Sequence, residues 1–206
     1  MKEQELQAAN ARTLSRMPGE GEIQYTISAS DDSTIAVEVY KTRLMRKRKH
    51  LLFFRSFSGC FLHAPDRPEN SRLDLTIDAT SIICRDQWLR PRQQRRVTEY
   101  VRNVALAADR RPQIRFSSSR LTPKSLRGFV VEGVLNVGGI TRVLKLNLVL
   151  SPRSNARLQL DADAAVRLSD FGIKPPSSRF GLVGTKDEAL IHLLLWPRLR
   201  GANGGS

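Results

Sequence analysis

Residues 127–150 read RGFVVEGVLNVGGITRVLKLNLVL, and the fold follows from how this stretch alternates. Val131, Gly133, Leu135 and Val137 fall on one side of an extended chain, with Glu132, Val134 and Asn136 on the other. After Gly138-Gly139 the alternation resumes: Leu144, Leu146 and Leu148 share a face, while Lys145 and Asn147 point the opposite way. Successive side chains of a strand project to opposite faces, so a period of two marks a half-buried strand. Two glycines in a row supply the backbone freedom of a tight hairpin turn. The stretch is predicted to pair 127–137 with 140–150 as a β-hairpin.

The same reading extends outward. Ile23, Tyr25 and Ile27 alternate with polar residues, as do Ile35, Val37 and Val39, and Asp31-Asp32-Ser33 between them predicts a second hairpin. Residues 51–62 are rich in Phe and broken by Gly59, which predicts a bulged or bent strand. Leu73, Leu75 and Ile77 give another strand, and 114–121, 156–168 and 188–196 bring the count to eight or nine. Residues 91–108 change period. Pro91 suits a first helical turn; Val97, Tyr100, Val101, Val104, Ala105 and Ala108 share one helical face, opposite Arg92, Arg95, Arg96, Glu99 and Arg102. Many strands with one helical insertion and no regular strand–helix alternation exclude a doubly wound parallel sheet and favour an antiparallel barrel or sandwich. Residues 1–21 read as a polar tail, 22–197 as the β domain, and 198–206 as a flexible C-terminal tail.

Composition narrows the function classes. Of 206 residues 40% are hydrophobic, which excludes a disordered chain, and no apolar run approaches the ~20 residues of a bilayer-spanning helix. The opening Met1-Lys2-Glu3-Gln4-Glu5 lacks the ~7–15-residue apolar core of a signal peptide, so a cytoplasmic location is expected. The formal charge is +14, and two segments carry all of it. Residues 41–55 hold seven basic residues and no acid, and residues 85–120 hold ten Arg against Asp86, Glu99 and Asp109. Such segments attract phosphates of lipids or nucleic acids, although an Arg-rich composition without a ligand gives the same count.

Catalytic signals are lacking. His50, His63 and His192 lie in a basic run, a loop entrance and a terminal strand, with no nucleophile, base and orienter at a recognisable spacing. Asp161 and Asp163 read as an exposed strand pair, and no Cys/His spacing points to a metal. Cys60 and Cys84 are read as reduced thiols, with one disulfide as the alternative.

Residues 132–142 followed by Leu144, Leu146 and Leu148 resemble the YceI-like family. The order of five further segments agrees: the strands of residues 25–39, Phe54 with Phe57-Ser58-Gly59, Leu75-Thr76-Ile77-Asp78 with Ser81-Ile82, residues 111–118, and Ser169-Asp170-Phe171-Gly172-Ile173. The resemblance spans roughly residues 22–197. It departs at Asp32, where the family usually has His, at Leu168, where it usually has Arg, and in the length of the helical insertion. It implies an eight-stranded antiparallel, lipocalin-like barrel whose apolar pore holds a polyisoprenoid, an isoprenoid quinone or a similar amphiphile, without catalytic residues or a further cofactor.

A tilted strand of ~10 residues gives a barrel about 25 Å tall, long enough for a linear tail. Each buried CH₂ contributes ~0.8 kcal/mol, so an apolar lining alone can hold such a ligand. Val131, Gly133, Leu135, Val137, Leu144, Leu146 and Leu148 are predicted to line the pore by period, and Phe54, Phe57 and Phe171 by the matched motifs. Gly133 is expected to widen the bore. Arg46, Lys47, Arg48, Lys49, Arg92, Arg95, Arg96 and Arg102 are the candidate contacts to an anionic membrane surface. Nucleic acid is the alternative partner, with Phe53, Phe54, Phe57 and Phe61 as stacking candidates, and a homodimer is compatible with either.

Overall fold

Val137 and Ile140 face each other across Gly138 and Gly139, whose φ angles of +58° and +83° are those of a turn that matches the twist of the flanking strands. The computed structural model describes residues 21–30, 32–42, 47–153, 157–176 and 184–200. The hairpin comprises β8 (Gly128–Val137) and β9 (Ile140–Pro152) in a sheet of twelve strands among the described residues. The others are β1 (Ile23–Ser28), β2 (Thr34–Lys41), β3 (Lys49–Phe54), β4 (Phe57–His63), β5 (Arg72–Asp78) and β6 (Ile82–Cys84). They are followed by β7 (Gln113–Pro123), β10 (Leu158–Arg167), β11 (Thr185–Leu195) and β12 (Arg198–Leu199). The order is β12-β1-β4-β5-β7-β8-β9-β10-β11-β2-β3-β6 and the named pairs are antiparallel. The sheet curls around its apolar face.

Twelve strands replace the expected eight because long strands bend. β1 and β2 do not form the hairpin read from residues 31–33. Among the described residues one bridge, Ser30 to Ser33, joins that region; β1 pairs with β4, and β2 with β3 and β11. Ser33 is buried and its hydroxyl accepts from Trp196 N at 3.0 Å, docking the start of β2 on the β11 side. The Phe-rich segment is bent, as expected, and its corner lies at Arg55-Ser56. Ser81 Oγ accepts from both amides at the bend, at 3.2 and 3.0 Å. Gly59 instead sits within β4, where a Cβ would come within 2.3 Å of the Asp74 carbonyl. A short turn at Ala79–Ser81 separates β5 from β6, with Asp78 accepting from Thr80 N. Near the C-terminus, Leu199 and Arg198 pair with Tyr25 and Thr26, so residues 198–200 extend the sheet instead of fraying.

The predicted helix is α1 (Pro91–Tyr100), extended by a π-helical turn, Val101–Ala105. Thr98 Oγ1 accepts from Cys84 N at 2.9 Å and ties the helix to β6. Val97 and Val101 pack on the core, as their spacing predicts, but Val104 is 64% exposed. The cause is the wider turn. Leu106 N bonds to Val101 O, five residues back, which shifts the phase so that Leu106 rather than Val104 packs on the core.

Inward side chains fill only one half of the curl. Ile27, Phe61, Leu73, Val131, Leu148 and Leu195 are each at most 2% exposed. Full burial of such a side chain contributes about 1.5–3 kcal/mol, so this half is the stable floor of the molecule.

Candidate functional site

The other half is hollow. A cavity of about 360 Å³ lies between β2, β3, α1 and the facing halves of β7, β8, β9 and β11. Strand periodicity builds its walls: Ile35, Val37 and Val39 from β2, Leu52 and Phe54 from β3, Leu135 and Val137 from β8, Leu144 and Leu146 from β9. Val97, Val101 and Leu106 enclose it from the helical segment, and Phe171 and Ile173 from the turn after β10. The alternation that buries these residues also carries Lys41 inward at the end of β2 and His50 inward on β3. With Thr185, Arg96 and Tyr100 they form the polar part of an otherwise greasy lining. Burial lowers the Lys41 pKa, partly opposed by the negative charge of Asp86.

Of the ten residues predicted to line a pore, Phe54, Leu135, Val137, Leu144, Leu146 and Phe171 border this cavity. Phe57, Val131, Gly133 and Leu148 do not; the first, second and fourth are buried in the packed half. The hollow is thus shorter than the barrel height implied by strand length. Period two identifies which face points inward, but not where along that face packing becomes solid. Gly133 does not widen the bore: a Cβ there would lie 2.4 Å from Ser117 O and 2.8 Å from Phe116 Cζ. It lets β7 bulge toward β8 between Ser118 and Arg120. Residues on other strands that periodicity alone did not single out, such as Ile114, Phe116, Ala189 and Ile191, also line the cavity.

Behind the polar wall lies a cluster that sequence spacing did not reveal. His50, Cys84 and Asp86 bring one potential ligand atom each within 4.8 Å of one another. Two of them meet across β3 and the residues after β6. Asp86, 2% exposed, accepts from His50 Nδ1 at 2.5 Å and from Leu51 N at 2.6 Å. Burial pushes its carboxyl up, but the His50 and Leu51 hydrogen bonds outweigh burial and hold it below the usual carboxylate range. The Cys84 thiol is pushed up to about 11, chiefly by burial and with the Asp86 charge adding to it. With Asp86 bonded to His50 and to Leu51 N, these contacts tie β3 to the segment after β6 as a structural latch. Cys60 and Cys84 are both buried and free.

The surface cations divide. Arg92, Arg95 and Arg96 on α1 are exposed, as are Lys47 and Arg48, the latter stacked 5.5 Å from the Trp88 ring. Lys49 is paired with Glu38 at 2.5 Å, and Arg102 turns inward to donate to Ile82 O at 3.3 Å. Arg102 is thus turned away from the surface role expected of it, while Lys49 stays partly exposed within its ion pair. Arg46 lies outside the described residues. Phe54, Phe57 and Phe61 are at most 7% exposed, which removes three of the four aromatic rings proposed for base stacking.

This architecture recurs in solved structures. The chain is similar to BcnA from Burkholderia cenocepacia, with a TM-score of 0.63 and 19% identity over 79% of this chain and 95% of that one. A polyisoprenoid-binding domain from Saccharophagus degradans, implicated in plant cell wall breakdown, matches with a TM-score of 0.58 and 12% identity, over 84% of this chain and 98% of that one. The YceI protein of Campylobacter jejuni gives 0.53 and 16%, over 73% and 84%. No curated protein matches the chain in sequence. The model of the YceI-like domain matches residues 25–193, from the middle of β1 almost to the end of β11, and the chain belongs to the YceI-like family.

Proposed function

We propose that the protein binds and carries a polyisoprenoid, an isoprenoid quinone or a similar single-tailed amphiphile, and performs no chemistry on it. The observation that carries this reading is the cavity: about 360 Å³, walled mostly by aliphatic and aromatic side chains, with Lys41 and Thr185 side by side among its few polar groups. A void of ~150 Å³ accommodates a benzene ring, so this one holds on the order of 14 carbons, close to three isoprene units. At ~0.8 kcal/mol per carbon the tail gains roughly 11 kcal/mol, within the ~4–15 kcal/mol cost of association. The polyisoprenoid-binding neighbour supports the same ligand class. The eight-stave barrel belongs to this proposal too. β1 and β2, β3 and β4, β5 and β6, and β11 and β12 follow one another as bent halves, which makes eight staves of twelve strands, and β11 pairs with β2.

Native mass spectrometry of the purified protein, with organic extraction, tests the reading. A bound hydrophobic ligand, or one-to-one uptake of an added prenyl quinone, is the expected result. Protein that carries no ligand and takes up none contradicts it.

A second reading concerns delivery. α1 borders the cavity and presents Arg92, Arg95 and Arg96 to solvent, with Val104 exposed beyond them. Cations beside an exposed apolar side chain favour an anionic lipid surface over nucleic acid. Sedimentation with vesicles containing phosphatidylserine tests it: the Arg92→Gln/Arg95→Gln variant loses binding if α1 docks, and equal binding by both proteins refutes it.

A further inference from the structure

The end of the cavity near Lys41 is not a neutral opening. On β2 the inward face runs Ile35, Val37, Val39, Lys41, so the register that lines the hollow with aliphatic side chains ends it with an ammonium group. Thr185 is the direct strand partner of Lys41 on β11. Its hydroxyl oxygen is buried in the wall and has no hydrogen-bond partner among the described residues. Arg96 reaches the same cavity from α1, and Tyr100 lies one turn further along the helix. Among the described residues the cavity wall includes no carboxylate. The nearest relevant anion, Asp86, is engaged by His50 and Leu51 N behind it.

A buried hydroxyl without a partner is costly, and in native structures such a group commonly marks the place of a ligand or an ordered water. A half-buried ammonium has the same requirement for a counter-charge. An ammonium beside an unpaired hydroxyl at one end of an apolar chamber whose described wall holds no acid matches an amphiphile charged at one end.

We propose that this end of the cavity selects an anionic head, a carboxylate or a phosphate monoester, through Lys41 and Arg96 with the Thr185 hydroxyl as a hydrogen-bond donor. The inference rests on the reading that the cavity takes an apolar tail, and adds to it which tails are chosen. The head stays at the Lys41–Thr185 pair while the tail extends toward Leu135, Leu144 and Leu146. A neutral alcohol with the same tail fills the same space and leaves the ammonium without an anion.

Isothermal titration with farnesyl monophosphate, farnesol and myristate, each below its aggregation concentration, tests this. A hydrogen bond to a charged group favours the charged head by roughly ten-fold or more over farnesol. Lys41→Met is expected to reduce that preference by roughly ten-fold, with the charged ligand losing more affinity than farnesol, since the aliphatic stem is kept. Lys145→Met, which removes a lysine paired with Glu132 elsewhere on the sheet, changes neither. Binding of the phosphate alone identifies phosphate as the head; binding of myristate as well extends it to carboxylates; either result supports the inference. Thr185→Val is the second variant. It raises the melting temperature of the free protein, because it removes an unpartnered buried hydroxyl, and it lowers affinity for the charged ligand only. Equal affinity of wild type for farnesol and both anions overturns the head assignment and leaves the tail reading standing. Failure to bind any of the three overturns both.

Discussion

Val131 and Val137 lie on the same inward face of β8, six residues apart, yet one is in the solid half of the core and the other in the wall of the hollow half. Replacing each by Phe is therefore the same chemical change made in two different environments. Val→Phe adds four carbons, or about 100 Å³ when scaled from the ~150 Å³ that hold a benzene ring. At position 137 that volume enters a void of about 360 Å³ and removes room for about four ligand carbons. At ~0.8 kcal/mol each the loss is roughly 3 kcal/mol. Affinity for a C15 prenyl chain then falls on the order of 100-fold. Stability of Val137→Phe is unchanged or rises by about 1 kcal/mol, as for other cavity-filling changes. At position 131, 0% exposed, there is no void to fill. Overpacking there costs about 1–3 kcal/mol, and the melting temperature falls by ~2–4 °C for each kcal/mol in a chain of this size. Ligand affinity of Val131→Phe stays within about two-fold of wild type, because the altered site lies below the cavity. Thermal melts and a farnesol titration on the two variants give four numbers. Destabilisation by Val137→Phe with unimpaired ligand uptake would refute the division of the core into a solid and a hollow half.

Asp86→Asn is expected to cost about 2 kcal/mol or more, since an amide cannot accept from His50 and Leu51 N as the carboxylate does. Because the folded carboxyl is held below its ordinary 3.8, its stabilisation is complete above that value and is lost as pH falls through the lower folded one. Urea unfolding across the acid range therefore shows an acid limb that Asp86→Asn diminishes; identical limbs contradict the latch. His63 is held below its ordinary 6.5 by burial and stacks on Phe61 at 5.5 Å. The unfolded chain takes up that proton first, so stability declines as pH drops below 6.5, and His63→Phe flattens this part of the profile. A wild-type curve already flat there argues against it. Gly133→Ala places a Cβ 2.4 Å from Ser117 O, and separating β7 from β8 to make room costs roughly 2 kcal/mol, read from the denaturation midpoint.

Much of the architecture was legible where one local rule acted alone. The β8–β9 hairpin needed only period two and a pair of glycines, and both are present as read. The bends were not legible because their causes are remote in sequence. Arg55-Ser56 turns on the hydroxyl of Ser81, and Ser33 docks on Trp196 N, so neither corner carries a strong local signal. Gly133 drew the wrong inference, and Gly59 does not itself mark the bend of its segment, for a related reason. A glycine in a strand marks either a kink or a close backbone approach, and only the neighbouring strand decides between them. At the site, periodicity placed Leu135, Val137, Leu144 and Leu146 on the inward face, but the same rule included Val131 and Leu148. Lys41 was counted as part of a basic run, although its register with Val37 and Val39 was available to turn it inward.

The central claim is that half of this curled sheet encloses space for an oily chain. A crystal structure of the protein grown with a C15 prenyl ligand measures this most directly. Continuous density starting near Lys41 and Thr185, passing Leu144 and Leu146, and stopping above Val131 and Leu148 is the expected result. Side chains collapsed across that volume, or a ligand bound only on the outer face of the sheet, would contradict it.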